Sequence, residues 1–318
     1  MQKKFLVLAA TLLTLTLLVG CFGGAEKKAD KPSVKKIVMT YVQAPLNVPS
    51  IVQKERQSFE NAYKEHGLPF EYSTITSGAE QTAALASGDI QLLNCVGGSS
   101  VLIAASGGAD IKIISVYANA PKAFMLFSKD ADLNAPEKLK GKTVAGPKGT
   151  ILHELLAAYL KRGGLTIKDV NFVSMGLPAA KAALESGSAD AVLLAGPLAY
   201  TAKQQGLNVV TNGEGLVSGL TLTATSEKFY KENKTLVDTF VKVQRDTLKF
   251  MQEHEAEAVS MTSKATGLDA AAVRDMYPLY DFSMEVNAAA KNNLKATQEF
   301  LVEAKLMDKR VDVDKLFL

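Results

Sequence analysis

The stretches AALASG, residues 83–88, and AALESG, residues 182–187, decide the fold class, because their surroundings also match. An acid follows each stretch, Asp89 in the first and Asp190 in the second, and a segment with paired leucines comes next. A Gly-containing loop, a helical segment that ends at Gly and another apolar segment then follow in both places. A long unit that occurs twice indicates two lobes built on one plan rather than a solenoid.

Short apolar segments alternate with helical patterns from Lys36 to Gly213, which is typical of an α/β fold with largely parallel sheets. After Ser226 the pattern is almost entirely helical, with long stretches around residues 236–254 and 288–307. The expected strands are residues 37–42, 70–75, 90–96, 111–117, 124–127, 143–145, 171–174, 191–194 and 208–211.

The N-terminus has the pattern of a secretory signal, with two lysines followed by an apolar run over residues 5–19. Leu18-Val19-Gly20-Cys21 resembles the bacterial lipobox, in which the Cys is acylated and becomes the new N-terminus. The polar stretch that follows has the composition of a flexible tether. We therefore expect a signal peptide over residues 1–20 and a lipidated tether over residues 21–34, with palmitate at Cys21.

Charge and cysteine content exclude several classes of partner. The formal net charge is +3, and removal of residues 1–20, which contain two lysines and no acid, leaves +1. A nearly neutral body offers no basic surface for nucleic acid or for a membrane. If Cys21 carries lipid, Cys95 has no partner for an intramolecular disulfide, and its apolar surroundings predict a buried thiol.

Six loops that follow expected strands are the candidate ligand-binding loops. In open α/β sheets, ligands bind at the carboxyl ends of strands, where loops lead into helices. These six loops are rich in Gly, Pro, Ser, Thr and Ala, and small residues let backbone N–H groups approach a ligand closely. The loops are residues 43–46, 77–79, 97–100, 147–150, 176–178 and 196–198.

The loop Pro147-Lys148-Gly149-Thr150 precedes an apolar pattern at helical spacing that begins at Ile151. We expect Thr150 to be an N-cap whose side-chain oxygen accepts from a backbone N–H two or three residues on. Gly149 admits close approach, and the first N–H groups of a helix favour an anion in front of them. Lys148 either adds charge or points into water. A well-capped helix with no ligand is the alternative.

The order of LASGDIQLL, GKTVAGPKGT and LESGSADAVLL, after a lipobox and before a helical tail, resembles the solute-binding proteins of ABC importers. The resemblance is to the group that includes aliphatic sulfonate, taurine, nitrate and thiamine-precursor binders, and it covers essentially the whole chain after the tether. It implies a two-lobed periplasmic-binding-protein type II fold whose crossover segments lie near residues 117–124 and 216–223. The first lobe would comprise residues 35–118 and 222–318, and the second lobe residues 119–221.

The same resemblance implies a function without a cofactor or a metal. The protein would be a monomer, anchored by lipid on the extracytoplasmic side of the cell membrane, in the periplasm or at the cell surface. It would capture a small organic anion, sulfonate-like, or a planar heterocycle in the interlobe cleft and deliver it to an ABC permease. The expected ligand-binding residues are Tyr41, Gln43, Ala44, Pro45, Leu46, Ser77, Gly78, Gly97, Gly98, Ser99, Tyr117, Asn119, Lys148, Gly149, Thr150, Gly176, Leu177, Gly196 and Pro197.

Departures from the family's pattern bear on the ligand. The chain has no Trp, and Ala195-Gly196-Pro197-Leu198 lacks the Trp or acid that the family often has there, which disfavours a taurine-like amine. None of the six loops contains Arg, so no bidentate clamp on a sulfonate or carboxylate is visible. Binding would depend on N–H groups, hydroxyls and Lys148 or Lys122. Tyr41, Tyr117 or Tyr200 could stack on a planar ligand.

Two enzymatic alternatives remain open. A secreted α/β enzyme needs a nucleophile and a base, but His66, His153 and His254 are scattered. The segment Gly97-Gly98-Ser99-Ser100-Val101 fails the last position of a nucleophile elbow. A cofactor-precursor synthase on the same fold would need reactive His and Cys residues in the site, and only Cys95 lies near the loops. The scarcity of His near the loops also disfavours a metal-binding protein.

Overall fold

The computed structural model describes residues 33–318, so the expected signal peptide and the lipid attachment at Cys21 lie outside the described residues. Within this range no helix combines the length and the apolar character that a membrane span requires. The strands are β1 Ile37–Thr40, β2 Phe70–Ser73, β3 Leu93–Gly97, β4 Lys112–Asn119, β5 Phe124–Ser128, β6 Thr143–Gly146, β7 Asn171–Ser174, β8 Ala191–Ala195, β9 Asn208–Asn212 and β10 Leu220–Thr225.

Helices connect most of these strands and form the C-terminal part of the chain. They are α1 Val48–Glu55, α2 Ser58–Lys64, α3 Gly78–Ser87, α4 Gly98–Ser106, α5 Ile151–Arg162, α6 Leu177–Ser186, α7 Gly196–Gln204, α8 Glu227–Glu232, α9 Lys234–Glu253, α10 Glu255–Thr266, α11 Ala270–Met276 and α12 Ala288–Glu303. The α/β class predicted from the sequence is confirmed.

The sheets are mixed, so the expectation of largely parallel sheets is wrong. The strand orders are β1-β2, β3-β10-β4 and β7-β6-β8-β5-β9. Strand β10 is antiparallel to β3 and β4, and β5 is antiparallel to β8 and β9. The chain passes from β4 of the three-stranded sheet into β5, and from β9 of the five-stranded sheet into β10, without a crossover α-helix. A short connection of this kind does not impose parallel pairing.

The repeated sequence pattern corresponds to a repeated structure. The order α3–β3–α4–β4 matches the order α6–β8–α7–β9. Gly88 and Gly187 end α3 and α6 in the left-handed conformation, with φ of 84° and 78°. Their N–H groups donate to Leu85 and Leu184 at 3.1 and 3.2 Å. The repeated Ser-Gly therefore ends the helix at the same point in both units, because Gly adopts positive φ without steric cost.

A ring of three buried amide side chains fixes α1 against β3 and α9. Asn94 donates to Gln53 at 3.1 Å, Gln53 donates to Gln244 at 2.7 Å, and Gln244 donates back to Asn94 at 2.7 Å. All three side chains are buried, and their exposed fractions are 3% or less. A buried polar network whose members are all satisfied makes the position of its helices specific.

The C-terminal helices agree with the sequence pattern except for one interruption. Residues 277–287 contain a short 3-10 helix, Tyr277–Leu279, and Asp281 pairs with Asn119 in an isolated β-bridge. Helix α12 then packs Leu294 and Leu301 into the same cluster as strands β3, β4 and β10. The C-terminal part of the chain thus packs against the sheet β3-β10-β4. The division of the chain into two lobes that move as bodies stays a prediction.

Candidate ligand-binding site

Most helices that begin at the predicted loops lack a cap from the side chain of their N-cap residue. Five of the six loops open a helix that has no side-chain cap, namely α1, α4, α5, α6 and α7. The sixth differs, because the Ser77 hydroxyl accepts from the N–H of Glu80 at 3.4 Å. The first N–H groups of a helix have no partner within the helix. An uncapped start can therefore bind an anion that comes in front of it.

The expectation that Thr150 caps α5 is wrong. Its hydroxyl donates to the Pro147 carbonyl at 2.9 Å instead of accepting from the helix. The N–H of Gly149 donates to Nδ1 of His153, the third residue of the helix, at 3.3 Å. Burial, with a smaller effect of the Lys148 charge, lowers the pKa of His153 to about 4. The imidazole is therefore neutral at pH 7 and its Nδ1 can accept.

The start of α5 is packed against α12. A Cβ built on Gly149 would lie 3.9 Å from the Leu306 side chain, just after α12. The His153 ring lies edge to face with Phe300, with 5.4 Å between centroids, and Glu154 accepts from the Thr297 hydroxyl at 2.9 Å. Of the predicted residues in this loop, only Lys148 is exposed, and Gly149 and Thr150 are half-buried. The first turn of α5 therefore contacts α12, and the loop before it faces the residues that follow α12.

Pro45 and Gly196 bring two of the predicted loops together. Gly196 has φ of 61°, and a Cβ built on it would lie 2.7 Å from both Cβ and O of Pro45. This contact joins the loop that follows β1 to the loop that follows β8, and these strands belong to different sheets. The loop that leads to α1 therefore meets the start of α7, with Pro197 in its first turn, and we call this contact the junction.

Three predicted residues on the β1 side and in β4 are enclosed by protein. The Tyr117 hydroxyl accepts from the N–H of Ser50 at 3.2 Å and so satisfies one N–H of α1. Tyr41 is buried, with the Lys54 ammonium 4.1 Å from its ring centroid, and Leu46 is buried in the core. Gln43 and Ala44 are exposed, and the Gln43 amide donates to the Ala265 carbonyl at 3.2 Å. In this structure Tyr117 positions α1.

The remaining predicted loops lie in separate places. Gly78 is packed against the Ser100 side chain, so the loops at residues 77–79 and 97–100 are neighbours. Gly98 lies under Leu294 and Leu220, and Ser99 is buried. A Cβ built on Gly176, just before α6 begins at Leu177, would have no neighbour within 4 Å.

Asn119, at the end of β4, pairs with Asp281 of the segment Tyr277–Phe282, and Tyr280 lines a cavity together with Gly196. Asn119 and Asp281 exchange backbone hydrogen bonds of 2.8 and 3.0 Å. Tyr280 stacks on Phe282 with 5.6 Å between centroids, and Phe282 meets the Tyr117 ring edge to face. Oδ1 of Asn119 and the Tyr280 hydroxyl are buried atoms without a hydrogen-bond partner in the described part of the chain. Such atoms call for a partner, which a bound ligand can supply.

This aromatic segment was not predicted from the sequence. The signal was present, since Pro278 interrupts a helical stretch and three aromatic residues surround it in MYPLYDF, residues 276–282. Proline in a helix interior removes a hydrogen bond and usually ends the helix. Aromatic residues in the irregular segment that follows were therefore candidates for a ligand site.

Two further features bear on chemistry. Among residues 33–318 no group of three or more His, Cys, Asp and Glu residues could hold a metal ion. Cys95 is buried with φ of 71°, and burial raises the pKa of its thiol to about 12. A groove of about 580 Å³ between α2 and α9 contains no residue of the six loops.

Comparisons with known proteins place the chain in a family. The profile described as NMT1/THI5 like matches residues 60–258. A Bacillus subtilis (strain 168) protein, named as a candidate aliphatic sulfonates-binding protein, is 30% identical over 98% of this chain and 93% of its own length.

Solved structures show the same fold. The periplasmic aliphatic sulphonate binding protein SsuA from Escherichia coli has a TM-score of 0.79 at 22% identity, covering 89% of this chain and 97% of its own. The desulfurization enzyme DSZB has a TM-score of 0.65 at 16% identity, covering 89% and 96%. The fold is thus shared by binding proteins and by an enzyme, and fold alone does not decide between these functions. On the family profile and the Bacillus relative together, this chain belongs to the NMT1/THI5-like family.

Proposed function

We propose that this protein is the solute-binding component of an ABC importer and that it binds a small sulfonate-like anion where the loops after β1 and β8 meet. The proposal rests on the contact between Pro45 and Gly196. This contact joins the loops that lead into α1 and α7, and these loops follow strands of two different sheets. The names of the Bacillus relative and of the Escherichia coli SsuA structure support the sulfonate class.

The electrostatics of the junction suit an anion that is held without a charged clamp. None of the six loops contains Arg, so the positive ends of α1 and α7 and their remaining N–H groups supply the attraction. Pro49 and Pro197 have no N–H, and the N–H of Ser50 is already bonded to Tyr117. The unpartnered Tyr280 hydroxyl can donate to a sulfonate oxygen. The Asn119 amide can contact the anion only through its N–H donors, because its Oδ1 is an acceptor. Of the residues predicted from the sequence, Pro45, Asn119, Gly196 and Pro197 are those we propose to contact the solute.

Binding rather than catalysis fits the two candidate reactive groups. The Cys95 thiol stays protonated at neutral pH because burial raises its pKa to about 12, and thiols attack as thiolates. His153 is occupied by the N–H of Gly149 and lies between the rings of Phe172 and Phe300. Neither group is arranged as a nucleophile with a base, which supports a protein that releases its solute unchanged.

The proposal includes a lipid anchor at Cys21, which leaves the body at the extracytoplasmic face of the membrane beside a permease. The two lobes, residues 35–118 with 222–318 and residues 119–221, close around the solute. The lipobox-like stretch ending at Cys21 supports the anchor. A Cys21→Ser variant should be released from membranes of the native host, and a variant that stays bound as firmly as the parent contradicts the anchor.

Titration calorimetry tests the binding function. Ethanesulfonate is the probe, and ethyl methyl sulfone is a neutral compound of similar shape. We expect saturable binding of ethanesulfonate and at least about tenfold weaker binding of the sulfone, because the helix starts attract charge. Equal affinities for the two compounds contradict anion recognition. An absence of binding by any sulfonate overturns the proposed function.

A further inference from the structure

We propose that the contacts of Thr297 and Phe300 in α12 with Glu154 and His153 in α5 form a latch between two parts of the fold, and that the Glu154 carboxyl keeps this latch weak enough to open at neutral pH. The two parts are the region of the sheet β3-β10-β4 and the region of the five-stranded sheet. The inference rests on the proposed function only where it concerns the solute, because the latch belongs to the protein without solute.

Each helix of the latch is fixed to a different sheet. Helix α5 packs Leu152, Leu155 and Leu156 into one apolar cluster with residues of β5, β6 and β8. Helix α12 packs Leu294 and Leu301 into another cluster with residues of β3, β4 and β10. A contact between α5 and α12 is therefore a contact between the regions of the two sheets.

The contact itself is small and partly polar. The Thr297 hydroxyl lies 2.9 Å from Oε1 and 3.2 Å from Oε2 of Glu154. The His153 ring lies edge to face with Phe300, with 5.4 Å between centroids. Polar contacts of this kind between two parts of a chain leave them free to move relative to each other. The latch can therefore open without the loss of either apolar cluster.

The Glu154 carboxyl opposes closure of the latch above its ordinary pKa. In the closed latch burial raises its pKa from 4.5 to about 7. In the open latch the carboxyl faces water and ionises with its ordinary pKa, so closure at pH 8 requires either a buried charge or the uptake of a proton. Compared with a neutral group, the carboxyl should weaken the closed latch by up to about 300-fold at pH 8. This effect disappears as the pH falls to 4.5.

His153 acts in the opposite sense. It is 3% exposed, and its Nε2 is buried without a hydrogen-bond partner in the described part of the chain. Burial, with a smaller effect of the Lys148 charge, lowers its pKa from 6.5 to about 4. Separation from Phe300 exposes the ring, so protonation of His153 favours the open latch below pH 6.5. Because the two effects oppose each other, variants must be compared at one pH.

Other charges do not set the protonation of Glu154. Burial is the main cause of its raised pKa, the Thr297 bond opposes it, and no charged group contributes. Strands β5 and β8, which also pack against α5, contain no charged residue. The charged residues of the loop before α5, of the ion pair between α5 and α12, and of the 3-10 helices packed against α5 are Lys148, Lys161, Glu303, Glu137, Lys138, Lys168 and Asp169.

Distance measurements between two spin labels test the latch without solute. The labels are attached at Ala83→Cys in α3 and Ala182→Cys in α6, which are exposed and equivalent positions of the repeated unit. Cys21→Ser in this reference protein leaves the buried Cys95 as the one other thiol of the sequence. At pH 8 we expect a shorter and a longer distance, for the closed and the open latch. Glu154→Gln should lower the ratio of open to closed molecules at least about tenfold at pH 8, but no more than about fourfold at pH 5.

Two further variants make the result specific. Glu257→Gln makes the same change at an exposed position of α10 and should leave the ratio unchanged. Thr297→Val removes the hydrogen bond and should raise the ratio at pH 5 at least about threefold. Circular dichroism establishes that the variants are folded. If the folded variants of Glu154 and Thr297 show the same distances in the same proportions as the reference protein, the latch is overturned.

Ethanesulfonate separates the latch from the proposed function. The junction is complete when the latch is closed, so saturating ethanesulfonate should shift the reference protein to the shorter distance. By titration calorimetry at pH 8, Glu154→Gln should bind ethanesulfonate more tightly than the reference protein, by the factor by which its closed fraction is larger. Binding with unchanged distances in every variant overturns the latch and leaves the function standing. A latch that responds to Glu154→Gln in a protein that binds no sulfonate overturns the proposed function alone.

Discussion

Thr297 donates a 2.9 Å hydrogen bond from its hydroxyl to Oε1 of Glu154, and this bond joins α12 to α5. Burial raises the pKa of the Glu154 carboxyl from its usual 4.5 to about 7, and the Thr297 bond opposes this only in part. The contact therefore links the C-terminal helix to the five-stranded sheet region through a carboxyl group that holds its proton close to neutral pH.

Stability should fall between about pH 4.5 and pH 7 because of this carboxyl. The folded protein keeps the proton to higher pH than the unfolded chain, so the contribution is complete below pH 4.5 and is lost as the pH rises to about 7. The free energy of unfolding should fall by at most about 3 kcal/mol across this window. Urea unfolding of the parent and of Glu154→Gln, which stays neutral, measures the difference between their pH profiles.

The Glu154→Gln variant should be more stable than the parent at pH 8 and similar to it at pH 5. Its amide oxygen can still accept from Thr297, so the variant removes the charge and keeps the acceptor. Identical pH profiles for the two proteins would show that Glu154 is ionised in the folded state.

The amide ring at α1 should be sensitive to the loss of a single member. Gln244→Ala removes two hydrogen bonds and leaves Gln53 and Asn94 with buried unpaired groups. We expect the free energy of unfolding to fall by about 2–4 kcal/mol. Gln252→Ala, at an exposed position of the same helix, is the matched control and should change it little. Similar losses for both variants would mean that the ring contributes nothing specific.

Gly149 should matter for stability rather than for solute binding. Its φ is 74°, its N–H is bonded to His153 and it lies against Leu306, so a Cβ adds backbone strain. Gly149→Ala should lower the free energy of unfolding by about 1–2 kcal/mol. Calorimetry should find the affinity for ethanesulfonate within about twofold of the parent. If a folded variant binds ethanesulfonate tenfold more weakly than the parent, this loop is part of the ligand-binding site.

The sequence predicted those parts of the fold whose signals are local. The repeated Ser-Gly at residues 87–88 and 186–187 ends a helix in both units, because a single glycine conformation decides each end. Strand β10 was missed, since its segment was expected to be a crossover, although the alternation in Leu220–Thr225 is typical of a strand.

The candidate site was predicted only in part, because its geometry depends on tertiary contacts. Thr150 does not cap α5, because its hydroxyl donates to the Pro147 carbonyl, and the neighbouring Gly149 N–H is bonded instead to Nδ1 of His153, whose neutral form burial favours. The meeting of Pro45 and Gly196 depends on how two sheets pack, which no local pattern encodes. Pro278 indicates from the sequence that the helix is broken near Tyr280. That the Tyr280 hydroxyl is buried without a hydrogen-bond partner depends on tertiary packing, which the sequence does not show.

The most direct test of the central claim is the affinity of Asn119→Asp for ethanesulfonate, measured by titration calorimetry. The change is nearly isosteric and places a carboxylate beside the proposed anion, so Coulomb repulsion should weaken binding at least about tenfold. Asn61→Asp adds the same charge at an exposed position of α2 and should bind like the parent. If folded Asn119→Asp binds ethanesulfonate as tightly as the parent does, the anion is not held at this junction.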